Sequence, residues 1–233
     1  MIAAHPDDEV LGMGGTIKKF TRNGHDVKIV IMATGIAARR SINYKNSTNY
    51  YIDTTTRKKI NLQIKNLRND AKKASKILGV TKIEFLDFPD NEMDVVSNLA
   101  VTKQIEEKIS NFKPAIVFTH SQYDINVDHR ITYLATITAT RPKRNFFVKK
   151  VLCYEVPSST EWYFPSKFSP NVFEDISMEL NFKLKAIKAY KKELRNFPHP
   201  RSILALKSIS ERWGSLAGFH NAEAFYLVRQ LNK

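Results

Sequence analysis

The chain has 233 residues, 42% of them hydrophobic and 26% charged, which is enough to bury the core of one large domain. A single cysteine, Cys153, excludes an internal disulfide framework and a zinc site built from cysteines alone. No apolar run approaches the roughly 20 residues of a membrane helix, and the first residues lack the apolar core of a signal peptide. We therefore expect a single domain over residues 1–233, located in the cytoplasm.

The net charge is +14, from 37 basic and 23 acidic side chains. Such an excess is compatible with a nucleic acid, an anionic membrane surface or a phosphorylated substrate as the partner. The basic residues are spread along the chain without a block of five or more, as in a protein from a lysine-rich genome. We predict no nucleic-acid binding and no membrane-spanning segment, and we leave peripheral contact with a membrane open.

Helix-length segments alternate with short β-branched segments through the first two thirds of the chain. In chain order, the pattern predicts a helix over residues 9–22, a strand over 27–32, a helix over 61–78 capped by Gly79, a strand over 83–86, a helix over 101–112, and strands over 115–119 and 148–154. This alternation is typical of an α/β, Rossmann-like fold, in which helices flank a mostly parallel sheet.

The last third of the chain has helical spacing. Asp175 is a predicted N-cap, and apolar residues recur at helical spacing from Ile176 to Leu194. A second helix is predicted from Ser202. We expect these helices to form a C-terminal layer on the same domain, and we expect the polar segment 39–56 to be a long loop.

Two clusters of histidines and carboxylates follow predicted strands. The N-terminal motif, AHPDDE, covers residues 4–9 and comes directly after the apolar start of the chain. The second motif, HSQYDINVDHR, covers residues 120–130 and directly follows the strand predicted over 115–119. Because ligands bind at the carboxyl ends of the strands in open α/β sheets, we expect the two motifs to meet at one edge.

Imidazole and carboxylate groups suit a catalytic zinc, which takes three protein ligands and a water. Pro6 fixes the turn after His5, so His5 and Asp8 are candidates to converge on one metal. Asp7 would then point to the bound water and act as its general base. The same kinds of ligand would hold iron(II) or cobalt(II).

Each part of this interpretation has a structural alternative. The acidic residues could complement the dipole of the following helix. His120 could be a hydrogen-bonded loop residue, and His129 a surface residue at a helix start. Gly12, Gly14 and Gly15 could let that first helix pack close to a strand. The coincidence of both motifs at predicted strand ends favours the metal site.

The two motifs, as AHPDDEVLGMGGTI and HSQYDINVDHR, resemble those of the LmbE-like, or PIG-L-like, zinc-dependent N-deacetylases. The stretches LRNDAKKASKILGV, FPDNEMD, EVPSSTEW, PHPRS and AEAF extend the resemblance through most of the chain. The resemblance implies a Rossmann-like fold and removal of an N-acyl group, usually acetyl, from an amino sugar or its conjugate in glycan or glycoconjugate synthesis. It implies His5, Asp8 and His129 as zinc ligands, Asp7 as general base, and Asp128 as a support for the adjoining His129.

Two features depart from the family pattern. Many members have a histidine where this chain has Asn126, which can donate a hydrogen bond to an oxyanion but cannot deliver a proton. We therefore predict that His120 or the acid form of Asp7 protonates the leaving amine. Many members also have a longer apolar strand before the first motif, so the first strand here is either short or begins upstream of Met1.

Substrate contacts are predicted for Arg68, Trp162 and Arg201, with Arg39 or Arg40 as further candidates. An arginine could hold a sugar hydroxyl or a phosphate, and Trp162 could stack on a sugar face or simply pack. The substrate class stays open between a nucleotide-linked, a lipid-linked and a free N-acetyl amino sugar. The alternative function is a non-catalytic sugar- or nucleotide-binding protein on the same fold.

Overall fold

Seven strands and six α-helices form over the residues that the structure describes, which are 1–36, 54–143, 146–165 and 167–232 of this computed structural model. The elements are β1 (Ile2–Ala3), α1 (Asp8–Arg22), β2 (Lys28–Ala33), α2 (Thr54–Leu78), β3 (Lys82–Phe88), α3 (Asn98–Phe112), β4 (Ile116–His120), α4 (Val127–Ala139), β5 (Lys150–Tyr154), β6 (Val172–Asp175), α5 (Leu180–Ile187), α6 (Ile203–Ala217) and β7 (Ala222–Gln230). The α/β class expected from the alternation is confirmed.

The strands form two hydrogen-bonded sheets. One has the order β1-β2-β3 and is parallel throughout. The other has the order β4-β5-β7-β6, in which β4 and β5 are parallel and β7 runs antiparallel to both of its neighbours. Side chains connect the two sheets at β1: the Tyr154 hydroxyl donates to the Ile2 carbonyl at 3.0 Å, and the Ala4 amide donates to Nε2 of His120 at 2.8 Å.

Helices cover both faces of the sheets. Successive residues of β2 point to opposite sides, as a pleated strand requires. Ile29 and Ile31 join the apolar core that contains residues of α1 and α2. Val30 and Met32 join the core that contains residues of α3 and α4. None of the described helices combines the length and the apolar character needed to cross a membrane.

Glycines bring α1 close to the second sheet. A Cβ on Gly12 would overlap the Tyr154 ring of β5, and a Cβ on Gly15 would lie 2.8 Å from Ile176. The packing role considered for these glycines is therefore the one the structure shows. Because α1 begins at Asp8, this close approach places the N-terminal motif beside the carboxyl ends of β4 and β5.

The helix α4 was not predicted, since its sequence is rich in β-branched residues of low helix propensity. Packing against α3 and an N-cap stabilise it instead: Oδ1 of Asn126 accepts the Asp128 amide at 2.8 Å. The predicted helix from Ser202 does form, and the Ser202 side chain caps it. The predicted cap at Gly79 is also present, with a φ of 84°.

The C-terminal third differs from its predicted helical layer. Helices α5 and α6 are present, but two antiparallel strands, β6 and β7, accompany them. Asp175 ends β6 and accepts the Ser177 amide at 2.9 Å, and the helix begins only at Leu180. The spacing of apolar residues within the segment did not predict that β7 joins the sheet, because its partner strand β5 lies some 70 residues upstream. Most of the predicted loop, including Arg39 and Arg40, lies outside the described residues.

Candidate metal centre and active site

Three predicted metal ligands lie together at the carboxyl ends of β1 and β4. His5 follows β1, Asp8 begins α1, and His129 lies in the first turn of α4. Nδ1 of His5 is 3.3 Å from Nε2 of His129 and 3.4 Å from Oδ2 of Asp8. Oδ2 of Asp8 is 3.3 Å from Nε2 of His129. All three side chains are almost completely buried.

Carboxylates fix the orientation of both rings. Nε2 of His5 lies 3.0 Å from Asp90 and 3.1 Å from Asp128, whereas Nδ1 of His129 lies 3.0 Å from Asp124. A carboxylate accepts hydrogen bonds, so the ring nitrogen that faces it carries the proton. The lone pairs of the opposite nitrogens are therefore directed at one another and at Asp8. This is the arrangement in which a histidine binds a metal.

The donor atoms fit a tetrahedral metal ion. Bonds of 2.0–2.1 Å in a tetrahedron separate the ligand atoms by about 3.3–3.4 Å, as observed for this triangle. Oδ1 of Asp8 is also buried without a hydrogen-bond partner. A second group, His5 with Asp90 and Asp128, is less suitable, because backbone amides of Asn91 and Met93 already occupy both Asp128 oxygens.

Asp7 adopts a constrained conformation beside these ligands. Its φ of 110° is rare for a residue with a side chain, and its amide donates to Oε2 of Glu9 at 2.9 Å. Nη1 of Arg201 donates to Oδ2 of Asp7 at 2.7 Å. Burial nevertheless raises the pKa of Asp7 to about 8, since the loss of hydration outweighs the attraction of Arg201.

A cleft of about 410 Å³ is lined by two of the three candidate ligands, His5 and His129. Its lining includes six of the residues predicted for the site: His5, Asp7, Asn126, His129, Trp162 and Arg201. Such a volume suits a small polar ligand. The structure thus brings residues from four separate parts of the chain to one edge of the sheet.

Asp128 has a different partner from the predicted one. It contacts His5 and accepts the Met93 amide at 3.0 Å, while Asp124 contacts His129. Successive residues of a helix point about 100° apart, so Asp128 and His129 cannot face each other. Although burial opposes ionisation, the interactions of Asp124 with His129 and the hydrogen bond from Ser159 lower its pKa to about 2.

Of the two predicted proton donors, Asp7 lines the cleft and His120 does not. His120 is completely buried, and its Nε2 accepts the Ala4 amide. Its ring stacks on His129 with centroids 4.0 Å apart, beneath the cleft and not in its lining. Burial, together with the neighbouring His129, holds the pKa of His120 well below its usual value.

Asn126 lies in the cleft wall and also caps α4. Its side-chain oxygen accepts the Asp128 amide, and its Nδ2 donates to Oδ1 of Asn91 at 3.0 Å. A primary amide has two N–H groups, so one is left to point elsewhere. Its predicted contact with an oxyanion stays a prediction.

The predicted substrate contacts divide into two groups. Trp162 is 42% exposed in the cleft wall, where its ring meets His199 edge to face, and Arg201 is in the cleft against Asp7. Arg68 does not line the cleft. Its guanidinium binds Asp87 and lies over the Phe85 ring at 5.2 Å, so its contact with a substrate stays a prediction.

Several site residues escaped the sequence analysis. Asp90 and Asp124 were not identified as partners of the ligand histidines, although Asp90 closely follows β3 and Asp124 lies within the second motif. Glu9 is also part of the site, because its Oε2 holds the backbone of Asp7 and its Oε1 bonds the Tyr190 hydroxyl. Burial raises the pKa of Glu9 to about 7. Position at a strand end was the available signal for Asp90.

The chain belongs to the PIG-L family, which is the class indicated by its fold and its histidine–carboxylate site. Residues 1–140 match the family described as GlcNAc-PI de-N-acetylase. The chain is also 30% identical to diacetylchitobiose deacetylase from Thermococcus kodakarensis, an alignment that covers 97% of this chain and 81% of that protein.

Solved structures show the same fold. N,N'-diacetylchitobiose deacetylase from Pyrococcus horikoshii is 23% identical, with a TM-score of 0.72, and the match covers 97% of this chain and 82% of that one. GalB, a 4-carboxy-2-hydroxymuconate hydratase from Pseudomonas putida, is 19% identical, with a TM-score of 0.75, and the match covers 100% of this chain and 96% of that one. The fold therefore hosts more than one chemistry, and function has to be argued from the site.

Proposed function

We propose that the chain is a metal-dependent N-deacetylase that removes the acetyl group from an N-acetyl amino sugar or its conjugate. The observation that carries this proposal is the triangle of His5, Asp8 and His129 donor atoms with Asp7 beside it in the same cleft. The deacetylases among its relatives support the choice of reaction. Zinc is the proposed metal, with iron(II) as the substitute.

The metal would be held by Nδ1 of His5, Nε2 of His129 and the Asp8 carboxylate. Zinc in such a site lowers the pKa of water to near 7 and polarises a carbonyl group. Asp7 takes the proton of the attacking water, since its carboxylate is held in the cleft by Arg201. Asp90, Asp124 and Asp128 keep each ligand histidine in the metal-binding tautomer.

The leaving amine must gain a proton. His120 is buried beneath the ligands, so Asp7 is the proposed donor, returning the proton that it took from water. Asn126 is the proposed donor to the developing negative charge on the acyl oxygen, through the N–H that does not bond Asn91. The products are the free amine and acetate.

The competing function is a sugar- or nucleotide-binding protein without catalysis. It explains the cleft and the half-exposed Trp162, but not Asp7, whose unusual backbone conformation is held by both Glu9 and Arg201. Strained backbone in a cleft is typical of a residue with a chemical task. We therefore favour the enzyme.

Acetate release from N-acetylglucosamine, diacetylchitobiose and a nucleotide-linked N-acetyl sugar tests the proposal. We expect the parent protein to release acetate from at least one of them. Asp7→Asn should lose about 10²–10⁴-fold in kcat while retaining its metal, and the exposed Asp87→Asn should behave as the parent. Elemental analysis should find about one metal per chain, lost in His129→Ala. A metal-loaded protein that deacetylates none of the three, or a fully active Asp7→Asn, would contradict the proposal.

A further inference from the structure

Arg201 reaches the cleft from the loop before α6. Its Nη1 donates to Oδ2 of Asp7 at 2.7 Å, and its Nε donates to the Ser158 hydroxyl at 2.6 Å. Its own amide donates to Nδ1 of His199 at 3.1 Å, and Glu193 lies 3.8 Å from the guanidinium. The arginine is therefore fixed at its backbone and at two of its nitrogens.

The two side chains that Arg201 joins both have strained backbones. Asp7 has a φ of 110° and Ser158 a φ of 71°, a region that residues other than glycine rarely adopt. In the part of the chain that is described, two other such residues occur: Asn91, also in the cleft wall, and Lys113, at the end of α3. Strain of this kind persists only where the surroundings impose it, and it concentrates at functional sites.

The contact with Arg201 limits how Asp7 can turn. The Asp7 amide is held by Glu9, which fixes the start of the side chain, and Oδ2 is held by Arg201, which fixes its end. The direction of the remaining oxygen, Oδ1, is then determined. A planar guanidinium serves this purpose better than an ammonium, because its N–H groups point in fixed directions.

We propose that Arg201 is a positioning residue for Asp7, and not a substrate-binding residue. This inference rests on the proposed function of Asp7 as the general base. Arg201 holds one carboxylate oxygen, so that the other faces the attacking water in every turnover. Its anchors, Ser158 and the segment before α6, are far from Asp7 in sequence, and so the C-terminal third of the chain completes the active site.

Steady-state kinetics separate positioning from substrate binding. Arg201→Ala should lower kcat about 100-fold, the loss expected when a reacting group is misplaced by about 1 Å, with KM within twofold of the parent and metal content unchanged. Arg201→Lys should recover only part of the loss, and millimolar methylguanidine should partly rescue Arg201→Ala. Arg195→Ala is the matched control, since Arg195 is exposed on the same segment and, among the described residues, donates its hydrogen bonds to backbone carbonyls.

A double-mutant cycle shows whether Arg201 acts through Asp7. If it does, Asp7→Asn combined with Arg201→Ala should be no slower than Asp7→Asn alone. A raised KM in Arg201→Ala, with losses that multiply in the double variant, would overturn the inference and assign Arg201 to the substrate.

Urea unfolding provides a readout that does not depend on activity. Arg201→Ala should unfold at a lower urea concentration, because Asp7 is left buried without its partner. When Asp7→Asn is added to this variant, part of the decrease in the urea midpoint should be recovered. A double variant that simply sums the two single losses would show that the ion pair does not form, and would also overturn the inference. If the parent releases no acetate, the proposed function and the positioning role both fail, while this cycle still reports on the ion pair.

Discussion

Asp124→Asn should weaken metal binding by forcing His129 into the wrong tautomer. Four donors converge on the Asp124 carboxylate. Oδ1 accepts from the Ser159 hydroxyl and the Asn126 amide, and Oδ2 accepts from Thr160 at 2.8 Å and faces Nδ1 of His129 at 3.0 Å. Asparagine has one acceptor oxygen and one donor group, so it can satisfy only one of these two pairs.

The expected loss of metal affinity follows from which of these hydrogen bonds an asparagine at position 124 can still make. If the amide oxygen keeps Ser159 and Asn126, the amide N–H₂ group faces Nδ1 of His129 and favours the tautomer with the proton on Nε2. That proton blocks the lone pair that points toward His5 and Asp8. Loss of such a supporting partner typically costs about 10–100-fold in metal affinity, or about 1.4–2.7 kcal/mol.

A competition titration against a zinc chelator would measure the change. Asp175→Asn is the matched control, because Asp175 also accepts from a serine hydroxyl and a backbone amide but lies far from the cleft. Its zinc affinity should equal that of the parent. An Asp124→Asn protein that binds zinc as tightly as the parent would refute the tautomer argument.

Three further predictions concern packing and titration. Gly12→Ala should lower the free energy of unfolding by about 1–3 kcal/mol, because its Cβ would overlap the Tyr154 ring; an unchanged urea midpoint would show that α1 can move away. His120→Asn should lower the melting temperature but keep the shape of the kcat–pH profile, and a displaced alkaline limb would restore His120 as the proton donor. Burial raises the pKa of Glu155 from 4.5 to about 6, so its contribution to stability is complete below pH 4.5 and is lost as the pH rises through 6. Glu155→Gln should therefore gain up to about 2 kcal/mol over the parent at pH 7.5 and nothing near pH 4.5, whereas the exposed Glu211→Gln should gain nothing at either pH.

The resemblance and the strand-end rule predicted that His5, Asp8 and His129 lie together, and the structure places them together because much of the geometry is local. His5 and Asp8 are three residues apart at the start of α1, and the His5 amide donates to Asp8 at 2.8 Å. To place His129 beside them, it was also necessary to infer that the ends of β1 and β4 lie side by side. The parallel α/β pattern predicted this arrangement.

The partners of those ligands could not be predicted in the same way. Asp128 precedes His129 in sequence, yet it supports His5, because the helical rotation between adjacent residues turns it toward β1. Arg68 lies in a stretch that resembles the family, but the packing of α2 against β3 turns its guanidinium to Asp87. Sequence proximity and resemblance place a residue near a site, whereas the orientation of its side chain depends on the packing around it.

The sequence by itself determined the α/β class and the edge of the sheet that carries the candidate site, since these depend on periodicity and on short-range motifs, and its resemblance to a family supplied the three candidate ligand positions. Only the tertiary structure decided that Asp124 and Asp90 orient the histidines, that His120 lies beneath them, and that Arg201 holds Asp7 across 194 residues of chain. The physical reason is that hydrogen bonds form between atoms within about 3 Å of each other. Which distant segments come that close is determined by how the helices and sheets pack, and not by any local pattern.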